Sequence, residues 1–140
     1  MNLAEVRLAV DELFPYAEAS FKQLLTQKSQ VVSVKMGDIL LYPGDMCGIC
    51  PVVVSGGLNV YLSSENGREI LLYTIDKGEA CMFVTVSLLK NIPYPAFAEA
   101  DKDSLLLVVD DKTFRELFDR YTYWREFFLN MIARNIYQTF

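Results

Sequence analysis

The chain predicts a mainly β fold with helices at both ends, a β-sandwich or barrel built in one domain. Three observations carry this. The apolar period changes from 3.6 to 2 near Gln30 and returns to 3.6 after Val109. Between those points, turn residues punctuate short apolar stretches about every 8–12 positions. The 140 residues are 52% hydrophobic and 13% aromatic, enough for a real core and too apolar for disorder.

In chain order, residues 1–28 read as a helical segment. Leu3, Val6, Val10, Leu13 and Phe14 recur at three- and four-residue spacing, Pro15 permits a bend, and Tyr16, Phe21, Leu24 and Leu25 continue the face. Residues 29–110 read as the β domain. Val32, Val34 and Met36 alternate with polar residues before a Gly37-Asp38 turn. Ile39–Tyr42 forms a short strand closed by Pro43-Gly44-Asp45. Strands over Pro51–Val54 and Leu58–Leu62 flank Ser55-Gly56-Gly57. Ser64-Glu65-Asn66-Gly67 makes a hairpin turn into Glu69–Ile75, since Asn-Gly tolerates positive φ. Ser104–Val109 is the last strand. Residues 111–140 read as helices: Thr113–Asp119, capped by Asp110 or Asp111, then a long helix from Tyr121 to the chain end.

Gly78–Ala100 interrupts the β pattern. Val84–Leu89 suits a short helix, and Asn91-Ile92-Pro93-Tyr94-Pro95 ends it, because proline lacks an N–H and disfavours helical geometry before it. A pocket-lining insert is expected there. The final helix carries two apolar stripes, Trp124, Phe128 and Met131 on one side and Leu129, Ile132, Ile136 and Phe140 on the other. One domain needs one buried stripe. The second has coiled-coil spacing and predicts a partner helix from a second copy.

Composition excludes several functions. No apolar run approaches a membrane span, and no signal-peptide layout opens the chain, so a cytoplasmic protein is expected. Net charge is −5 and the 13 Lys and Arg residues are scattered, unlike a nucleic-acid surface. With no histidine there is no Ser-His-Asp or Cys-His nucleophile and no His-ligated metal. Glu79 and Glu99 are single carboxylates without a convergent partner, so the chain reads as a non-enzyme.

Several runs together resemble the cyclic-nucleotide-binding domain of the Crp/Fnr transcription regulators. These are Gly37-Asp38-Ile39-Leu40 with Pro43-Gly44-Asp45, then Val54-Ser55-Gly56-Gly57-Leu58-Asn59-Val60-Tyr61, Asn66-Gly67-Arg68-Glu69-Ile70 and Lys77-Gly78-Glu79. The resemblance covers the chain from about Asp11. It implies a double-stranded β-helix jelly roll, N-terminal helices and a long C-terminal dimerisation helix. That helix would lead to a helix-turn-helix absent from this chain, through which alone DNA would be bound. The apolar terminus Ile136-Tyr137-Gln138-Thr139-Phe140, without a C-cap glycine, reads as a truncation.

In cyclic-nucleotide-binding relatives a Gly-Glu pair takes the ribose hydroxyl, and an Arg followed by Ser or Thr takes the cyclic phosphate. Laid over this chain, those pairs fall near Met82-Phe83 and Tyr94-Pro95, and no arginine occurs between Arg68 and Arg115. Lysine, here Lys90 alone within the insert, replaces a bidentate guanidinium poorly. The run resembles the Fnr-side branch, where Gly-Glu-x-Cys and an Ile-Pro-x-Pro-Ala run stand in for the phosphate cassette. The expected pocket comprises Gly78, Glu79, Cys81, Met82, Phe83, Tyr94, Ala96 and Phe97. It either holds an unknown apolar or aromatic effector, with the Tyr94 hydroxyl as a polar contact, or is a filled core. No cofactor is assigned.

Cys47-Gly48-Ile49-Cys50 and Cys81 form a candidate redox set. The first pair lacks a helix N-terminus to activate it, and three thiols leave a zinc site one ligand short. As strand residues three apart, Cys47 and Cys50 would face opposite sides. The expected function is effector sensing and dimerisation within a Crp/Fnr-type regulator, without usual cAMP or cGMP binding. The alternative is a stand-alone jelly-roll protein that binds a small molecule or senses thiol redox state.

Overall fold

A computed structural model describes residues 2–139. Two N-terminal helices, α1 (Leu3–Leu13) and α2 (Ala19–Lys28), precede strands β1 (Ser29–Val34), β2 (Ile39–Leu41), β3 (Ile49–Ser55), β4 (Leu58–Ser63) and β5 (Glu69–Ile75). Helix α3 (Met82–Lys90) follows, then β6 (Phe97–Ala100), β7 (Ser104–Asp110), α4 (Asp111–Arg120) and α5 (Thr122–Thr139). The strands form two antiparallel sheets, ordered β1-β7-β3 and β2-β6-β4-β5, and the fold is a jelly roll with flanking helices.

The broken N-terminal helix arises as the sequence suggests: Asn2 caps α1 through its side chain, and the chain bends through Pro15 before α2. Two strands differ from expectation. Phe97–Ala100 pairs with both β2 and β4, although its alanines and glutamate are poor strand formers; the pairing partners decide it. Strand β3 begins at Ile49, before Pro51. It is an edge strand of its sheet, so proline's missing N–H breaks no ladder bond. Where β3 turns into β4, Gly56 has φ +94, and a Cβ there would collide with the Ser104 side chain and approach the Asp103 carbonyl to 2.8 Å. Ser104 in turn accepts from the Gly57 N–H at 3.0 Å, joining the two sheets.

The helices close one end of the roll over an aromatic cluster. Trp124, fully buried, packs against Phe14, Phe21, Phe114 and Phe128 at 4.8–5.9 Å between ring centroids. Asp110 starts α4 by accepting the Thr113 N–H at 2.7 Å. Arg125 donates to the carbonyls of Phe118 and Asp119, and so caps α4 from the first turn of α5.

Candidate functional site

The insert is held as a strap between β3 and α5. Gly78 N–H donates to the Val53 carbonyl at 2.8 Å, and Val53 N–H to the Glu79 carbonyl at 2.9 Å, so the strap pairs with β3. One residue on, Ala80 N–H donates to the Met131 sulfur of α5 at 3.3 Å. Helix α3 then begins at Met82 and ends at Asn91, which takes left-handed geometry (φ 55), as asparagine tolerates at a helix C-terminus. Beyond it, Tyr94 is clamped by its backbone to the first loop: Tyr94 N–H donates to the Asp45 carbonyl, and Gly44 N–H to the Tyr94 carbonyl, each at 2.8 Å.

Polar chemistry at the head of α3 is satisfied internally. A bulge places one extra residue, Leu72, in β5, since Val60 opposes Tyr73 while Tyr61 opposes Leu71. Tyr73 thereby turns inward, where its hydroxyl lies 2.8 Å from the Sγ of Cys81, the residue that precedes α3. Cys81 Sγ also lies 3.3 Å from the Tyr94 hydroxyl. Burial, reinforced by the neighbouring Cys81, pushes both tyrosine hydroxyls well above their usual range, so each stays protonated. A helix N-terminus is a ready anion site. Here a neutral phenol, bonded to Cys81, lies beside it.

The candidate pocket residues separate into three groups. Cys81, Tyr94 and Ala96 are fully buried and fill the interior. Met82 and Phe83 are half-buried and line a groove of about 450 Å³ with Leu72, Tyr73, Asn135 and Gln138. A second groove of about 440 Å³ shares Leu72, Tyr73, Asn135 and Gln138 with it and adds Leu71, Thr74, Asp76 and Glu79. Glu79 there accepts the Asp76 N–H at 2.9 Å, and Gly78 forms the turn with φ +85. Phe97 does not join them. It lies on the outer face of its sheet, stacked on Tyr61 at 5.1 Å. Tyr73, Asn135 and Gln138 were invisible to sequence reasoning, because only the bulge and the crossing of α5 over β5 bring them to the groove. Lys90 is exposed, whereas Tyr94 is buried.

The thiols also correct an expectation. Cys47 precedes β3 rather than lying in it, so the strand alternation expected to set it and Cys50 on opposite sides does not apply. Both are buried and within electrostatic reach of Cys81 and of each other. Burial raises the pKa of Cys47 and Cys50, which makes them poor nucleophiles. Among the described residues, no group of three or more cysteines and carboxylates is arranged to hold a metal ion.

Helix α5 divides its two stripes as the spacing suggested. Trp124, Phe128 and Met131 are at most 1% exposed, whereas Leu129 and Ile136 are 57% and 52% exposed and Ile132 is half-buried. Phe140 lies outside the described residues. No helix among them is long and apolar enough to cross a membrane.

Residues 31–121 match a known family profile, described as the cyclic nucleotide-binding domain. The chain belongs to the cyclic nucleotide-binding domain family. No protein of curated function matches it in sequence. Among solved structures, the sensor domain of the transcriptional regulator DNR from Pseudomonas aeruginosa is similar in fold, with TM-score 0.74 at 18% identity over 98% of this chain and 92% of that one. The Thermus thermophilus catabolite activator protein gives TM-score 0.73 at 23% identity over 91% of this chain, which spans 59% of that protein. The regulatory domain of Toxoplasma gondii PKA, solved with cAMP, gives 0.67 at 21% identity over 81% of this chain and 43% of its own. These structural neighbours are regulatory proteins or domains by name.

Proposed function

We propose that this domain senses an effector and dimerises as part of a Crp/Fnr-type transcription regulator, on the Fnr side of that superfamily. Its cassette does not take cAMP or cGMP in the usual way. The observation that carries the reading is the occupied head of α3. The Tyr73 hydroxyl lies 2.8 Å from the sulfur of Cys81, the residue that precedes α3, and no arginine occurs in the sequence between Arg68 and Arg115 to pair with a cyclic phosphate. An anion placed there would have to displace a buried Tyr–Cys–Tyr chain and would find no bidentate cation.

The effector instead enters between β5, the head of α3 and α5. Leu72, Met82 and Phe83 supply apolar walls, and Asn135 and Gln138 bring side-chain amides from α5. That chemistry suits a neutral, largely apolar or aromatic molecule. Because α5 forms one wall and carries the exposed Leu129, Ile132 and Ile136 seam, occupancy would bias the packing of two copies of α5 in a homodimer. DNA would be reached through a helix-turn-helix beyond this chain.

A thermal-shift titration with cAMP, cGMP and a panel of neutral aromatic metabolites tests this. A ligand at a hundred times its dissociation constant stabilises by about 2.7 kcal/mol, which for a chain of this size raises Tm by roughly 9 °C. The cyclic nucleotides are expected to leave Tm unchanged. A rise of that size with cAMP would refute the reading.

A further inference from the structure

We propose that the outer face of the β2-β6-β4-β5 sheet is a docking surface for a cationic, partly apolar segment of a partner protein. An apolar row crosses β5, β4 and β6 on that face and continues to the residue after β2. Leu71 of β5 stands directly opposite Tyr61 of β4, and Tyr61 stands opposite Phe97 of β6. The Tyr61 and Phe97 rings stack at 11°, and Tyr42, the residue after β2, meets Phe97 edge-on at 5.8 Å. The inward neighbours Val60 and Ala98 are buried in the core, so the row points away from it. Its two ends are open to solvent: Leu71 is 58% and Tyr42 49% exposed.

The charge pattern selects the occupant. The four strands contain only two charged residues, Glu69 and Glu99, both acidic. Each lies two positions from the row on the same outward face, Glu69 beyond Leu71 toward the hairpin and Glu99 beyond Phe97 on the opposite side. Both carboxylates act on the Tyr61 hydroxyl, whose pKa is raised first by burial and then by Glu99 and Glu69. The face is therefore carboxylate, aromatic row, carboxylate. A same-face spacing of two residues is about 7 Å along a strand. An extended segment running along the strands would place a cation, an apolar side chain and a cation over this pattern. Arginine suits both end positions, because it pairs with carboxylates and lies over Tyr or Phe rings.

The probe is a short fluorescein-labelled peptide repeating arginine-serine-leucine-serine, with glutamate replacing arginine in its control, titrated by fluorescence anisotropy into the full chain. The arginine peptide is expected to saturate, with affinity falling as salt rises, and the glutamate peptide not to bind. Glu69→Gln combined with Glu99→Gln should weaken binding about tenfold, and Leu71→Ser about fivefold. Melting curves of both variants confirm that they remain folded, since all three sites are at least partly open to solvent. Amide chemical-shift mapping should confine the response to β2, β4, β5 and β6. Equal binding of the glutamate peptide, unchanged affinity in both variants, shifts centred on α5, or no saturation by about 1 mM peptide would overturn the proposal. So would concentration-dependent self-association of the unmodified chain that Leu71→Ser abolishes, because the row would then be covered by a second copy.

Discussion

Tyr73→Phe isolates the hydroxyl that closes the head of α3. The substitution keeps the ring and its edge-on contact with Phe83 at 5.6 Å, and removes only the oxygen. The Cys81 thiol, at the residue that precedes α3, loses its partner at 2.8 Å. One net hydrogen bond is worth about 1 kcal/mol, and a buried donor left unpaired costs about 1–3 kcal/mol. Tyr73 is half-buried beside an open groove, so water reaches part of the vacated space and the loss is held to about 2 kcal/mol. At 140 residues the unfolding entropy near the midpoint is about 0.3 kcal/mol per kelvin, so Tm should fall by roughly 7 °C. Tyr94→Phe breaks a single longer contact to the same sulfur, at 3.3 Å, and should cost only about 0.5–1 kcal/mol, or roughly 3 °C. Thermal melts followed by circular dichroism decide the order. A Tyr73→Phe protein melting within about 2 °C of the parent, or a larger loss for Tyr94→Phe, would refute the argument that Tyr73 is the stronger partner of Cys81.

Other consequences are equally direct. Ile136→Asp, at a site 52% exposed, should turn a dimer into a monomer in sedimentation while changing the monomer's stability by no more than about 0.5 kcal/mol. Trp124→Ala should cost about 3–5 kcal/mol in denaturant melts, because the ring is fully buried within the aromatic cluster. Asp110→Ala should remove about 1 kcal/mol at neutral pH. Its folded pKa is lowered, first by the Thr113 side chain and then by the Thr113 N–H, so the cap acts above the unfolded carboxylate pKa and is lost as pH falls through the lower folded value. The variant and parent melts should therefore converge in acid. Thiol titration at pH 8 should label Cys47 before Cys50, with Cys50 reacting only on unfolding, since it is completely buried and its thiolate is suppressed.

Period and turn chemistry revealed most of the architecture. The switch at Gln30, the Asn66-Gly67 hairpin and the Asp110 cap each act within a few residues, so local sequence suffices to place them. Phe97–Ala100 was not legible as a strand, because its conformation is imposed by β2 and β4 on either side. The division of α5 into a buried and an exposed apolar stripe was legible from spacing, since Trp124, Phe128 and Met131 face the core while Leu129 and Ile136 stay exposed. The site was legible only in part. Cys81, Tyr94 and Met82 lie within the insert that the proline-bounded loop marked out. Tyr73 escaped notice because a single extra residue in β5 reverses which side chains face inward, and alternation cannot reveal where a bulge falls. The same bulge leaves Leu71 facing outward beside Phe97, a residue that the sequence assigned to the candidate pocket.

The thioether that receives the Ala80 N–H gives the joint between strap and α5 a particular mechanical character. Met131 is unbranched, and its sulfur is a weak acceptor that adapts to its surroundings, so α5 can roll slightly about its own axis without breaking the bond. Sliding along that axis is different, because it carries the sulfur away from an N–H that β3 holds stationary through Gly78 and Glu79. The joint tolerates torsion and resists shear. Two such helices side by side would be free to rotate against each other long before either could shift lengthwise.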